Sequence, residues 1–155
     1  MSVATLSILP SNTIPTNAND HRHWGDLKGS ALALAITEAV EQFSGVTVVI
    51  AANSNEAVRL EKEISFFLGC NDNTNDRAEL LLSLPDWETL PYDTFSPHQD
   101  IVSERLASLY RLPTLKQGVL VVALTTLMHR LPPKSFLEGY SLVLDVNEKF
   151  DIEDT

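Results

Sequence analysis

The sequence is poor in the features that most often announce a function. It has one cysteine, Cys70, so no disulfide can form within the chain, and a lone thiol in 155 residues fits a reducing, cytoplasmic setting. Positive charge is scarce: 11 Lys and Arg stand against 21 Asp and Glu, leaving a formal net charge of −10. The basic residues are scattered from Arg22 to Lys149, with no cluster of the kind that neutralises a phosphate backbone. No run approaches the ~18 continuous apolar residues needed to span a bilayer, which excludes a membrane partner on this reading. No Lys or Arg precedes Arg22, so the charged start of a secretory leader is missing. There are no internal repeats.

What is present is an alternation of two periodicities. Residues 1–22 carry Ser, Asn, Thr and Pro without a steady period and read as a flexible N-terminal arm. From Leu27 a helical pattern sets in, with Leu32, Ile36, Ala39, Val40 and Phe43 on one face and Gly45 as a stop. VTVVIAA (46–52) is a continuous β-branched run, which predicts a strand buried on both faces. Asn53 and Glu56 form a capping box for a helix whose apolar positions are Ala57, Leu60, Ile64, Phe67 and Leu68, ended by Gly69. A polar loop (70–79) follows, then ELLLSL (79–84) as a second strand.

Further along, Val102, Leu106, Leu109 and Tyr110 define one side of a third helix, closed by Pro113. GVLVVALT (118–125) is another strand, TTLMHRL (125–131) a short helix stopped by Pro132 and Pro133, and SLVLDV (141–146) a fourth strand. Strands alternating with helices imply crossover connections and a parallel sheet covered by helices on both faces.

Chemistry is first sought at the glycine-containing turn before the first helix, WGDLKGSALALAITEAV (24–40), because a helix N-terminus can hold phosphate. A phosphate loop needs G-x-x-x-x-G-K-[ST]: backbone amides wrap the phosphates, a lysine reaches them and a hydroxyl holds Mg²⁺. Counting from Gly25 puts Ser30, Ala31 and Leu32 where Gly, Lys and Ser/Thr are required; Lys28 comes too early, and Gly29 falls outside the pattern. The loop is therefore read as degenerate, and no nucleotide-binding residue is expected in it.

Other constellations have plainer explanations. His21-Arg22-His23 offers two imidazoles but no third ligand nearby, so a solvated arm is favoured over a metal site. His98 with Ser96, Asp93 and Asp100 resembles a nucleophile set only in composition, since no nucleophile elbow surrounds it. His129 reads as an edge-of-core residue. No catalytic residue and no metal site are expected.

The most unusual stretch is LPDWETLPYDTFSPHQD (84–100), with Trp87, Tyr92, Phe95, three prolines and four acids. Ser96-Pro97-His98-Gln99 fits a capping box with proline at the first helical position, which places the start of the third helix at Ser96. The aromatic connection leaves the carboxyl end of the second strand, where parallel sheets line their ligand crevice. It is either part of a binding surface or a structural plug.

DWETLPYDTFSPHQDIVSERLASLYRL (86–112), followed by GVLVVALTTLMHRLPP (118–133), resembles the N-terminal segment of the bacterial transcription-repair coupling factors (Mfd), and more distantly the excision-repair protein UvrB. The likeness extends from about Gly25 to the last strand. It implies a RecA-like, P-loop NTPase-type α/β domain over residues 23–146, with residues 147–155 the truncated start of a UvrA-binding module. The family is an ATP-driven DNA translocase that displaces stalled RNA polymerase and recruits UvrA. ATP and Mg²⁺ act there through downstream motifs, whereas this segment carries no cofactor. Its expected partners are UvrA, RNA polymerase and double-stranded DNA through other modules, and the following UvrB-like module through intramolecular contacts.

UvrB carries an aromatic DNA-clamping hairpin after the equivalent of 91–95. Here Tyr92-Asp93-Thr94-Phe95 runs straight towards Ser96 and leaves no room for one. The resemblance therefore implies a non-catalytic scaffold, with Trp87, Tyr92, Phe95 and His98 as an inter-module contact. The alternative is a UvrB-like nucleotide-binding, damage-recognising ATPase domain.

Overall fold

Three parallel strands, β1 (Val46–Ala51), β2 (Leu81–Leu84) and β3 (Gly118–Ala123), form a sheet in the order β1-β3-β2. The computed structural model of the chain describes residues 14–70, 77–89, 94 and 96–140. The expected fourth strand at 141–146 lies outside the described residues, as do Tyr92 and Phe95. The chain is thus an α/β protein, built on the alternation its sequence displays.

The connections explain where the helices sit. From β1 the chain passes through α2 (Ser54–Leu68) to β2, two places across the sheet, and returns through α3 (Gln99–Arg111) to β3 in the middle. Crossovers of one hand that travel in opposite directions must place their helices on opposite faces. The packing follows that rule. On one face α1 (Ala31–Gln42) and α2 bury Ile36, Val40, Leu60, Ile64 and Leu68 against Val49, Ala51, Val119 and Val121. On the other, Leu109 of α3 and Leu137 of α5 (Lys134–Tyr140) cover Leu82, Leu84, Leu120 and Val122. Each fully buried aliphatic side chain stabilises the fold by about 1.5–3 kcal/mol.

Helix α2 begins and ends as its sequence prescribes. Asn53 Oδ1 accepts the Glu56 amide at 2.9 Å, and Glu56 Oε2 reaches back to the Ala52 amide at 3.0 Å, one residue before the usual partner. Gly69 takes the left-handed conformation (φ 72°), so its amide bonds Phe66 O and the Cys70 amide bonds Ser65 O, closing the last turn.

Four expectations are corrected. β1 is not buried on both faces: Val49 and Ala51 are covered, but Val48 and Ile50 on the opposite face are 51% and 57% exposed, because α3 and α5 lie over β2 and β3. The inner face of α3 is not the row Val102, Leu106, Leu109, Tyr110. Arg105, Ser108 and Leu109 are buried, while Leu106 and Tyr110 are exposed. Helix α3 starts at Gln99 and not at Ser96: His98 is its extended N-cap residue, and its Nδ1 accepts the Asp100 amide at 3.3 Å. An imidazole lone pair does here what the Ser96 hydroxyl was expected to do. Finally, the helix expected at 125–131 is a single turn, α4 (Leu124–Leu127), and α5 after the two prolines has no counterpart in the sequence pattern.

Candidate functional site

The crevice of this sheet lies between the carboxyl ends of β1 and β3, where one connection leaves for the α1/α2 face and the other for the α3/α5 face. Ser54 opens α2 just after β1, and Thr125 is the second residue past the end of β3. Both hydroxyls point at the same group. Ser54 Oγ donates to Asp86 Oδ2 at 3.2 Å and Thr125 Oγ1 to the same oxygen at 2.9 Å, while the Trp87 amide donates to Oδ1 at 2.8 Å. A carboxylate of the chain's own therefore occupies the donors of the crevice. Burial pushes the Asp86 carboxyl upward, but the donors Thr125, Trp87 and Ser54 and the attraction of His129 outweigh it and hold it below the ordinary aspartate range.

Behind Asp86 stands Arg105, only 2% exposed. Its guanidinium donates to Pro85 O, and Trp87 covers it with the ring centroid 4.2 Å from Cζ. Nε of Arg105 has no hydrogen-bond partner among the described residues. Burial lowers the arginine's proton affinity and the Asp86 charge partly restores it. Trp87 is thus a lid over a buried cation, and Glu88 beside it holds a positive φ of 58°.

The other expected positions lie elsewhere. His98 is exposed at the start of α3, beside Asp100 at 3.2 Å, and makes no contact with the crevice group. His129 is half-buried, with Nδ1 buried and unpartnered among the described residues. Arg22 pairs with Asp20 at 2.7 Å, and no group of three potential metal ligands occurs among the described residues.

At the start of α1, Ser30 is the N-cap residue but its hydroxyl makes no capping bond; Ala31 begins the helix and Leu32 is half-buried against the core. Gly29 adopts φ 57° and Asp26 φ 58°, which places a carboxylate-bearing residue within the turn. Gly25 stands beside the His23 ring, and Trp24 and Leu27 pack with Ile14 against Ala35 and Ala39. These side chains do not fit a nucleoside triphosphate with its metal: neither the lysine nor the hydroxyl that would hold them is in place.

No protein-family model matches the chain. Individual proteins do. It is 44% identical over 137 residues to the transcription-repair-coupling factor of Escherichia coli, covering 88% of the chain and 11% of that protein. It is 41% identical over 140 residues to the factor of Haemophilus influenzae, covering 90% of the chain and 11% of the relative. A third match, to the factor of Rickettsia bellii, is 37% identical over 98 residues, 63% of the chain and 8% of that protein. By sequence, this chain is related to the transcription-repair-coupling factors. It spans about a tenth of the length of the coupling factors it matches. Among the described residues, no helix is long and apolar enough to cross a membrane.

Within this coupling-factor-related chain, the sequence reading singled out Trp87 but missed what Trp87 covers. The sequence pattern gave no role to Asp86 or to Arg105. One signal was available: Arg105 and Ser108 interrupt the apolar side of α3 at one-turn spacing, which is where a helix must face the sheet.

Proposed function

We propose that this domain serves a transcription-repair coupling factor as a non-catalytic scaffold of RecA-like descent. In such a factor the domain supports a neighbouring UvrA-binding module, while ATP, Mg²⁺, double-stranded DNA and RNA polymerase are engaged by other modules. The observation that carries this reading is Asp86: the crevice donors Ser54 and Thr125 are bonded to an internal carboxylate. A ligand phosphate at that place would meet a negative charge held ionised by its surroundings. The degenerate turn at Gly25, Gly29, Ser30, Ala31 and Leu32 supports the same reading, as does the net charge of −10 against direct binding of nucleic acid. The domain limits at 23 and 146 belong to this proposal.

Calorimetric titration of ATP with Mg²⁺ into the purified chain tests it. The expected result is no saturable heat. Saturable binding in the micromolar range would overturn the scaffold reading in favour of a nucleotide-binding, UvrB-like ATPase domain.

A further inference from the structure

Hydrogen-bond donors outnumber acceptors at the crevice. Ser54 Oγ, Thr125 Oγ1 and the Trp87 amide converge on one carboxylate, that of Asp86. Helix α2 also begins there, at Ser54, with first-turn amides that have no carbonyl partner within the helix. Further polar groups at this end of the sheet go unused. Among the described residues four buried side-chain polar atoms lack a hydrogen-bond partner, and three of them are Arg105 Nε, Thr126 Oγ1 and His129 Nδ1; the fourth, Glu63 Oε2, is on α2. Arg105 is 2% exposed and Thr126 is fully buried, so solvent does not satisfy them. A buried polar atom without a partner costs about 1–3 kcal/mol, so three in one region call for a group that the described side chains do not supply.

The charges point the same way. Arg105 makes no salt bridge among the described residues, and Asp86 is the acid whose charge reaches both Arg105 and His129. One negative group thus stands among a guanidinium, an imidazole, two hydroxyls and the positive end of a helix. The net charge of −10 repels anions from a distance, but at physiological salt that field fades within about 8 Å, and the local groups decide.

We propose that the crevice is a site for a phosphate-type oxyanion and that Asp86 is its resident ligand. The strap of chain carrying Asp86 and Trp87 fills the site and must swing out before a phosphate enters. Ser54 and Thr125 then pass their hydrogen bonds from Oδ2 to a phosphate oxygen. Arg105, uncovered as Trp87 leaves, gains the acceptor that its Nε lacks. Because it is tethered, the carboxylate competes as an intramolecular ligand that a free anion must displace. This inference deepens the reading of the crevice as self-occupied and rests on it.

The test is titration of inorganic phosphate into the isotope-labelled 155-residue chain at constant ionic strength, with chloride as reference, following the backbone amides at positions 54, 87 and 125. Asp86→Ala empties the place and is expected to give saturable shifts at these amides, with an affinity about tenfold or more above that of wild type. Asp86→Asn keeps the place filled and should respond as weakly as wild type. Trp87→Ala keeps the carboxylate but frees the strap, and should fall between. Phosphate should also raise the urea midpoint of Asp86→Ala relative to chloride, a readout that holds even where that variant is less stable. Three results would each overturn the proposal: neither shifts nor a midpoint gain in Asp86→Ala, equal binding by Asp86→Asn or by wild type, or a Trp87→Ala variant indistinguishable from wild type. The scaffold reading is tested apart from this, by ATP with Mg²⁺ on the wild-type chain.

Discussion

The two outer strands of this sheet are finished in opposite ways. Along β2, helix α3 spends polar side chains on backbone: Arg105 on Pro85 O, Ser108 on Ser83 O at 2.5 Å, and Arg111 more loosely on Glu79 O at 3.4 Å. Along β1 nothing comparable happens, and no strand pairs with its outer side among the described residues. There Val48 and Ile50 stand exposed in an uncharged β-branched run. An unguarded strand edge is a template for further pairing, whereas one whose carbonyls are occupied is closed to it. Among the described residues, the comparison separates an edge whose carbonyls are held by side chains from one that has no strand beside it.

The guarded side should be the fragile one. Arg105→Ala leaves the Pro85 carbonyl unpaired, removes the support beneath Trp87 and opens a cavity in the α3 interface. A loss of about 3 kcal/mol in urea denaturation is expected, the sum of a lost charged hydrogen bond and incomplete collapse of the site. If Arg105→Ala costs no more than an exposed substitution, α3 does not close the β2 edge energetically.

Asp86→Ala follows, with about 1–2 kcal/mol, since three donors lose a partly solvated acceptor. The isosteric Asp86→Asn reads the charge. Because the folded carboxyl titrates below its unfolded value of about 3.9, its contribution is present above that pH and is lost as pH falls through the folded value. The stability gap between wild type and Asp86→Asn should therefore narrow from about pH 5 to pH 2. A constant gap would show that the Asp86 charge is not what binds the crevice together.

How far the sequence disclosed all this depends on which physical signal each part emits. β1 and β3 were legible because the runs VTVVIAA and GVLVVA are rich in β-branched residues and uninterrupted by charge, and β2 because the short apolar run LLSL follows a polar loop. Both termini of α2 were legible because capping is local chemistry, carried by Asn53, Glu56 and Gly69. The start of α3 misled because Ser96 and Gln99 satisfy a pattern that His98 satisfies in a less common way. The crevice was not legible, since Ser54, Asp86 and Thr125 are brought together only by the strand order β1-β3-β2, which no local period encodes. Arg105 was hidden by the convention that a charge belongs outside, which fails when a carbonyl and an indole receive it.

The open side yields the smallest expected effect and the sharpest discrimination. Val49 and Ile50 are neighbours of nearly equal apolar character on opposite faces of β1, one 9% and the other 57% exposed. Threonine keeps β-branching in both places, so strand propensity hardly changes. Val49→Thr puts a hydroxyl against the α1/α2 face and should cost about 1–2 kcal/mol. Ile50→Thr should stay within about 0.5 kcal/mol in denaturation and should lower self-association in concentrated solution, measured by light scattering. Equal losses at the two positions would mean that the face bearing Val48 and Ile50 is covered within the folded chain itself, and the contrast between the two edges would collapse. A loss confined to Val49 upholds the contrast between the covered and the exposed face of β1.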